Sequence, residues 1–175
     1  MLTPAHVLAD FKLMEGVYVL GTYQSGVTIY HQQVRALNLA WSLVEESSES
    51  LHDVAIIGGG FGGLTVAAAL LRKRATRITV FEKRPVLCPL QQGSDSRWLH
   101  PHIYEWPDEG SERPSAGLPV MNWRAGRASD VVAQFLAQWQ LELDRSGGHA
   151  VRVLQNVRYL RVSNGRRVQW LSVDP

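Results

Sequence analysis

A glycine-rich run is the part of this sequence best suited to bind an anion. It consists of Gly58, Gly59, Gly60, Phe61, Gly62 and Gly63. Glycine lets the chain turn sharply at 58, lets the backbone approach a phosphate closely at 60, and lets a following helix lie close to a sheet at 63. A helix that begins here directs its free N–H groups and its positive dipole end at a pyrophosphate. The spacing therefore predicts a dinucleotide phosphate loop.

An acidic residue stands where such a loop needs an acceptor for the ribose. Glu82 follows the loop at the expected spacing of about 20 residues and comes at the tip of a β-branched run. A carboxylate at this point can accept hydrogen bonds from both ribose hydroxyls. Lys83 and Arg84 follow directly, and we expect them near the adenine end of the nucleotide.

The elements around these residues complete a βαβ unit. Residues 54–57 form a short apolar run before the glycines, 64–71 have the composition of a helix, and 78–81 predict a second parallel strand. The alternative is a glycine-rich loop in an unrelated α/β protein. The nucleotide-binding interpretation is favoured because strand, helix, second strand and acid all agree.

The combined pattern resembles the N-terminal fingerprint of FAD/NAD(P)-binding flavoproteins of the glutathione-reductase-like superfamily, nearest to a bacterial FAD-NAD(P)-binding group. The matching positions are Gly58, Gly60, Gly63, Ala67, Leu70, Ile78, Val80 and Glu82. The resemblance implies that the loop holds the ADP half of FAD, with NAD or NADP as the alternative cofactor. Two features depart from the family: Arg74 replaces a common glycine, and residues 83–88 lack the usual Gly-Gly pair.

Length and composition exclude several classes of protein. The 175 residues, at 45% hydrophobic and 19% charged, are typical of a globular chain. A net charge of +2 with scattered Lys and Arg does not indicate nucleic acid as a partner, and no apolar run approaches a bilayer span. Cys88 is the single cysteine, which excludes an internal disulfide. We expect a cytoplasmic protein that acts on an unidentified small molecule.

Residues 1–50 precede the fingerprint and predict an N-terminal α/β extension with a linker at 45–50. Thr3 and Pro4 predict the start of a helix, and the spacing of the apolar residues extends it to Met14. Residues 17–20 predict a strand. Residues 27–44 predict a long helix with one apolar stripe. Packing of this stripe on the neighbouring domain is favoured. The alternative is an oligomer contact through the 27–44 helix, whose run is under three heptads.

A long irregular stretch at 85–127 follows the acid, and stretches of this length are usually functional. Arg97 is expected to pair with the pyrophosphate or a substrate carboxylate, or else to form a structural ion pair. One of His100 and His102 is expected to bond a loop carbonyl while the other lies near the cofactor. No metal site is predicted, because zinc needs three or four ligands. Three aromatic residues are expected to form the core of the loop, with stacking on a flavin or adenine as the alternative: Trp98, Tyr104 and Trp106.

The C-terminal part resembles the remainder of the flavoprotein domain. Ser129 and Asp130 predict a capped helix that runs to about residue 143. Residues 151–154 predict a third strand. Residues 157–162 and 168–173 predict a hairpin that belongs to an antiparallel β-meander. The expectation is an α/β, Rossmann-like FAD/NAD(P)-binding domain at 51–175 that forms the N-terminal portion of a flavin-dependent oxidoreductase. An NAD(P)-binding enzyme domain or a non-catalytic nucleotide-sensing module is the alternative. No residue takes a catalytic role from sequence alone.

Overall fold

The computed structural model describes residues 3–21, 27–47, 51–73, 77–147, 151–163 and 167–172. The helices are α1 (Pro4–Ala9), α2 (Ile29–Ser47), α3 (Phe61–Arg72) and α4 (Ala128–Arg145). The strands are β1 (Lys12–Met14), β2 (Val17–Tyr18), β3 (Asp53–Ile57), β4 (Arg77–Phe81), β5 (Trp98–Leu99), β6 (Gly126–Arg127), β7 (Val151–Leu154), β8 (Val157–Ser163) and β9 (Arg167–Ser172).

A three-stranded parallel sheet in the order β3-β4-β7 lies at the centre of the fold. Ile57 lies opposite Phe81, and Phe81 lies opposite Leu154, so the three strands end at the same edge. The helix α3 connects β3 to β4, which is the predicted βαβ unit. The loops that leave this edge are therefore in position to form one site, as in other open α/β sheets.

The core lies between the sheet and the helices. Leu64 and Leu70 of α3 and Val80 of β4 are fully buried, and Phe135 of α4 packs its ring on Phe61 with centroids 4.2 Å apart. Burying such large side chains stabilises the fold by about 2 kcal/mol each. This packing fixes the start of α3, where Phe61 is the first helical residue.

The helix α2 packs against α3 through a buried polar residue as well as an apolar face. The amide of Gln33 donates to Thr65 Oγ1 at 3.2 Å and to the Met121 carbonyl at 2.9 Å. Its oxygen accepts from Trp123 Nε1 at 2.6 Å. The predicted helix at 27–44 thus occurs at 29–47. It packs on the neighbouring elements, but its most buried apolar positions are Ala36, Leu39, Ala40 and Leu43 rather than the predicted stripe, in which Trp41 is 41% exposed. An oligomer contact through this helix stays a prediction.

The predicted helix from Pro4 to Met14 is wrong beyond Ala9. Residues 12–14 instead form a strand that pairs with β2 around a turn in which Gly16 has φ +72°. Phe11 is buried there, and the guanidinium of Arg35 lies 4.8 Å from its ring centre. This tertiary contact outweighs the weak preference of a single helical turn, since short helices are unstable alone.

The predicted cap of α4 is also wrong. The helix begins at Ala128 with Arg127 as its cap, and Ser129 Oγ instead donates to Asp95 Oδ1 at 2.5 Å. The β5–β6 pairing determines where α4 begins, because Arg127 is the last residue of β6 and the helix follows it directly.

The C-terminal strands β8 and β9 pair in antiparallel fashion, with Ser163 opposite Arg167. They form a two-stranded sheet of their own, so the meander stays a prediction. Several predicted features lie outside the described residues: the loop at 22–26, the linker end at 48–50, Arg74, Gly148, the turn at 164–166 and Pro175. No helix in the described ranges is long and apolar enough to cross a membrane.

Candidate dinucleotide-binding site

The glycine loop joins β3 to α3 with the geometry that its sequence predicts. Gly58 has φ +110°, a conformation that favours glycine. A Cβ on Gly63 would lie only 2.0 Å from the Gly58 carbonyl oxygen, so the helix approaches the loop too closely for any side chain there. A Cβ on Gly60 would meet nothing within 4 Å, which shows open space at the helix start. The first N–H groups of α3 have no partner within the helix and border that space.

Glu82 connects the tip of β4 to this loop. The residue is buried, and its Oε2 accepts a hydrogen bond from the Gly59 N–H at 2.8 Å. Its Oε1 accepts from the Arg84 N–H, also at 2.8 Å. Each carboxylate oxygen has a second lone pair, so the group can still accept bonds from ligand hydroxyls. The carboxylate is thereby held in one orientation beside the glycine loop.

A cavity of about 760 Å³ opens at this edge of the sheet. Five of the predicted site residues line it: Gly60, Phe61, Gly62, Glu82 and Arg97. The others are not among the lining residues: Gly58, Gly59, Gly63, Lys83 and Arg84. Lys83 and Arg84 are exposed directly after Glu82. The structure thus brings the phosphate loop, the acid and one arginine to a single space.

The irregular stretch forms another part of the cavity wall. Arg97 is exposed there, and no acid in the described part of the chain pairs with it. His102 Nε2 lies 3.0 Å from the Ser115 carbonyl oxygen, while His100 lines the cavity. The expectation that one histidine bonds a loop carbonyl is therefore confirmed for His102. Arg97 remains available for an anionic ligand.

The expectation that the aromatic residues form the core of this loop is wrong. Trp98, Tyr104 and Trp106 are 66%, 65% and 70% exposed. Strand β5 alternates its side chains, so Leu99 is directed into the core while Trp98 is directed outwards. Trp98 and Tyr104 line the cavity, and Trp106 does not.

Cys88 also lines the cavity, as a buried thiol. Burial, together with the negative charge of Glu82, raises the pKa of Cys88 to about 12. The thiol is therefore protonated at neutral pH, and thiolate chemistry is not available to it. Among the described residues, no group of three His, Cys, Asp or Glu side chains is placed to hold a metal ion.

Sequence reasoning missed the contribution of the N-terminal residues and of Trp123. Residues 27–29, Gln32 and Trp123 line the cavity although they are distant in sequence from the glycine loop. The packing of α2 on α3 brings the N-terminal residues there, and a hydrogen bond from Trp123 Nε1 to Gln33 holds Trp123 beside α2. No local motif marks these positions, because their role depends on contacts between distant parts of the chain.

The fold and the cavity define a dinucleotide-binding α/β protein. Residues 53–172 match the family model described as FAD dependent oxidoreductase, and the chain belongs to this family. The family assignment confirms FAD as the cofactor and the interpretation of the chain as the FAD-binding part of a flavin-dependent oxidoreductase.

Other comparisons find little similarity. No curated protein matches the sequence. The crystal structure of THI4 from Thermovibrio ammonificans is similar at 20% identity with a TM-score of 0.34, covering 78% of this chain and 54% of that chain. The chain thus spans about half the length of that protein.

Proposed function

We propose that the chain binds the ADP half of FAD with the pyrophosphate at residues 60–62 and the ribose at Glu82. The open space beside Gly60, bounded by the first turn of α3 and by the held carboxylate of Glu82, is the observation that carries this proposal. A small, Cβ-free opening at a helix start fits a phosphate group, and an acid at the next strand tip fits a diol.

The remaining residues position the ligand in this proposal. Arg97 contributes positive charge to the wall that faces the phosphate loop and contacts a phosphate or a substrate carboxylate. Lys83 and Arg84 lie on the adenine side of Glu82. Bound FAD supplies the electron or hydride transfer, so the protein's part is to bind, orient and shield it.

The proposal also includes the superfamily, the cellular location and the domain boundary. The motif of Gly58, Gly60 and Gly63 followed by Glu82 supports membership of the glutathione-reductase-like superfamily. The single cysteine supports a cytoplasmic location. Because α2 extends to Ser47, the predicted linker at 45–50 is wrong for 45–47, and the polar composition of 48–50 supports a domain division near residue 50.

The test is FAD titration of the purified chain, with Gly60→Val as the site variant and Gly21→Val as the matched control. A Cβ at either glycine meets no atom of the described residues within 4 Å, so both variants should fold. We expect Gly60→Val to weaken FAD binding at least tenfold, about 1.4 kcal/mol, and Gly21→Val to leave it unchanged.

Reduction of the bound flavin by NADH would support the oxidoreductase, with dithionite as the reference for complete reduction. Equal FAD affinity in the two glycine variants would disprove the site. Tight NAD binding without flavin would replace the proposal with a nicotinamide-binding domain. Colourless ADP-ribose binding without redox activity would indicate a nucleotide-sensing module.

A further inference from the structure

We propose that Gln32 is an additional cofactor-binding residue, whose side-chain amide donates a hydrogen bond to the pyrophosphate at the start of α3. It lies outside residues 53–172, the segment that matches the family. The inference rests on the proposed function, since it requires the phosphates to bind at residues 60–62.

The location of Gln32 carries the argument. The residue lines the same cavity as Gly60 and Gly62. A Cβ on Gly62 would lie 3.9 Å from Gln32 Oε1 and 2.7 Å from Leu20 Cδ2. The Gln32 amide therefore lies beside the first turn of α3, whose unpaired N–H groups are the anion-binding part of the loop.

The backbone under Gln32 is fixed. Gln33, the next residue, is fully buried and makes three hydrogen bonds that join α2 to Thr65, Met121 and Trp123. The Gln32 N–H itself donates to the Thr28 carbonyl at 3.0 Å. Because α2 is held in this way, the Gln32 side chain starts from a rigid position at the cavity wall.

The chemistry of the side chain fits a phosphate oxygen. A primary amide has two N–H donors and no charge, and rotation of the amide presents these donors to a ligand. No side-chain hydrogen bond of Gln32 occurs among the described residues, and the residue is half-buried. A carboxylate in its place would repel the pyrophosphate, whereas an ammonium would attract it. Introducing a negative or a positive charge at residue 32 should therefore change the phosphate affinity in opposite directions.

The experiment measures the affinities of FAD, ADP and adenosine by calorimetry for Gln32→Glu, Gln32→Lys and Gln32→Leu. Asn38→Asp is the control, because Asn38 is exposed on the same helix outside the cavity lining. We expect Gln32→Glu to weaken FAD and ADP about tenfold or more and Gln32→Leu to weaken them about threefold. Gln32→Lys should bind ADP at least as tightly as the unchanged chain. Adenosine, which lacks phosphate, should bind equally to all variants.

Opposite effects of glutamate and lysine cannot arise from a general loss of folding, which thermal melting checks in parallel. If the unchanged chain binds FAD and the three Gln32 variants bind it equally well, the inference is overturned while the proposed function stands. An equal loss for adenosine and ADP, or an equal loss in Asn38→Asp, would also overturn it. If the unchanged chain binds neither FAD nor ADP, the proposed function fails as well.

Discussion

The βαβ unit at 53–81 and the irregular stretch at 85–127 border the same cavity by different physical means. In the βαβ unit the backbone shapes the cavity, with Gly58 at φ +110° and Gly63 packed against the Gly58 carbonyl. In the irregular stretch the contribution comes from side chains, among them Arg97, Trp98 and His100. A site made by backbone conformation therefore leaves a local sequence motif, whereas a site made by side chains does not.

The irregular stretch is nevertheless held firmly. The Cys88 N–H donates to the Gly59 carbonyl at 2.9 Å, which ties the stretch to the glycine loop. The Arg97 carbonyl accepts from the Ala128 N–H at 2.8 Å, which ties it to the start of α4. These bonds position the exposed cavity residues without regular secondary structure.

The largest expected effect separates two glycines of the same loop. Gly63→Ala should lower the free energy of unfolding by about 3 kcal/mol, because its Cβ would lie 2.0 Å from the Gly58 carbonyl oxygen and the helix must move. Gly60→Ala should change it by less than about 0.5 kcal/mol, since its Cβ meets nothing within 4 Å. Urea unfolding measures both. Equal stability of the two variants would show that the close helix–loop contact is not needed.

A second expected effect concerns ligand binding at the acid. Glu82→Ala removes a charged acceptor and should weaken FAD binding by about 1.5–3 kcal/mol. Glu112→Ala is the control, because Glu112 is an exposed acid outside the cavity lining. Calorimetry with FAD, NAD and NADP checks this result. If NADP binding improved while FAD binding was lost, a nicotinamide cofactor would be the better assignment.

The parts of the fold that depend on neighbouring residues could be predicted from the sequence. The run of apolar residues in β3, the glycine spacing and the acid after β4 are all local, and β3 and β4 pair in parallel as predicted. The parallel strand at 151–154 also follows from its composition. Family membership then confirms FAD, as the motif implied.

The features that the sequence did not predict depend on distant contacts. The helix from Pro4 stops early because Phe11 is buried under Arg35, which no local pattern indicates. Ser129 has a good capping side chain, but the β5–β6 pairing starts the helix one residue before it. Gln32 and Gln33 are two ordinary polar residues in sequence, and only the packing of α2 distinguishes the cavity residue from the buried one.

A smaller expected effect tests whether the ion pairs between α3 and α4 influence the cavity. Arg72 of α3 donates two hydrogen bonds to the buried Glu142 of α4, at 3.0 and 2.6 Å, and Arg145 adds a third at 2.8 Å. The hydrogen bonds from Arg72 are the main cause that lowers the pKa of Glu142. Glu142→Gln should lower the free energy of unfolding at pH 7 by about 1–2 kcal/mol.

The pH dependence of this difference has a definite sign. A lowered carboxyl pKa stabilises the fold fully above the ordinary glutamate value of about 4.3, and that contribution is lost as the pH falls through the folded value. Stability curves of the two proteins should therefore converge in acid. FAD affinity should be unchanged, because Glu142 lies outside the cavity lining. A gap that persisted at low pH would show that the charge of Glu142 is not the cause.

The smallest expected effect compares two exposed tryptophans of the irregular stretch. Trp98 lines the cavity and Trp106 does not, although the two are 66% and 70% exposed. Trp98→Ala should weaken FAD binding by about 0.5–1.5 kcal/mol, the usual contribution of one aromatic contact, while Trp106→Ala should leave it unchanged. Both variants should keep the same melting temperature, because neither side chain is part of the core. Quenching of flavin fluorescence measures the affinities. Equal losses would mean that these side chains act through the folding of the stretch, and no loss for Trp98→Ala would limit the ligand to the backbone half of the cavity.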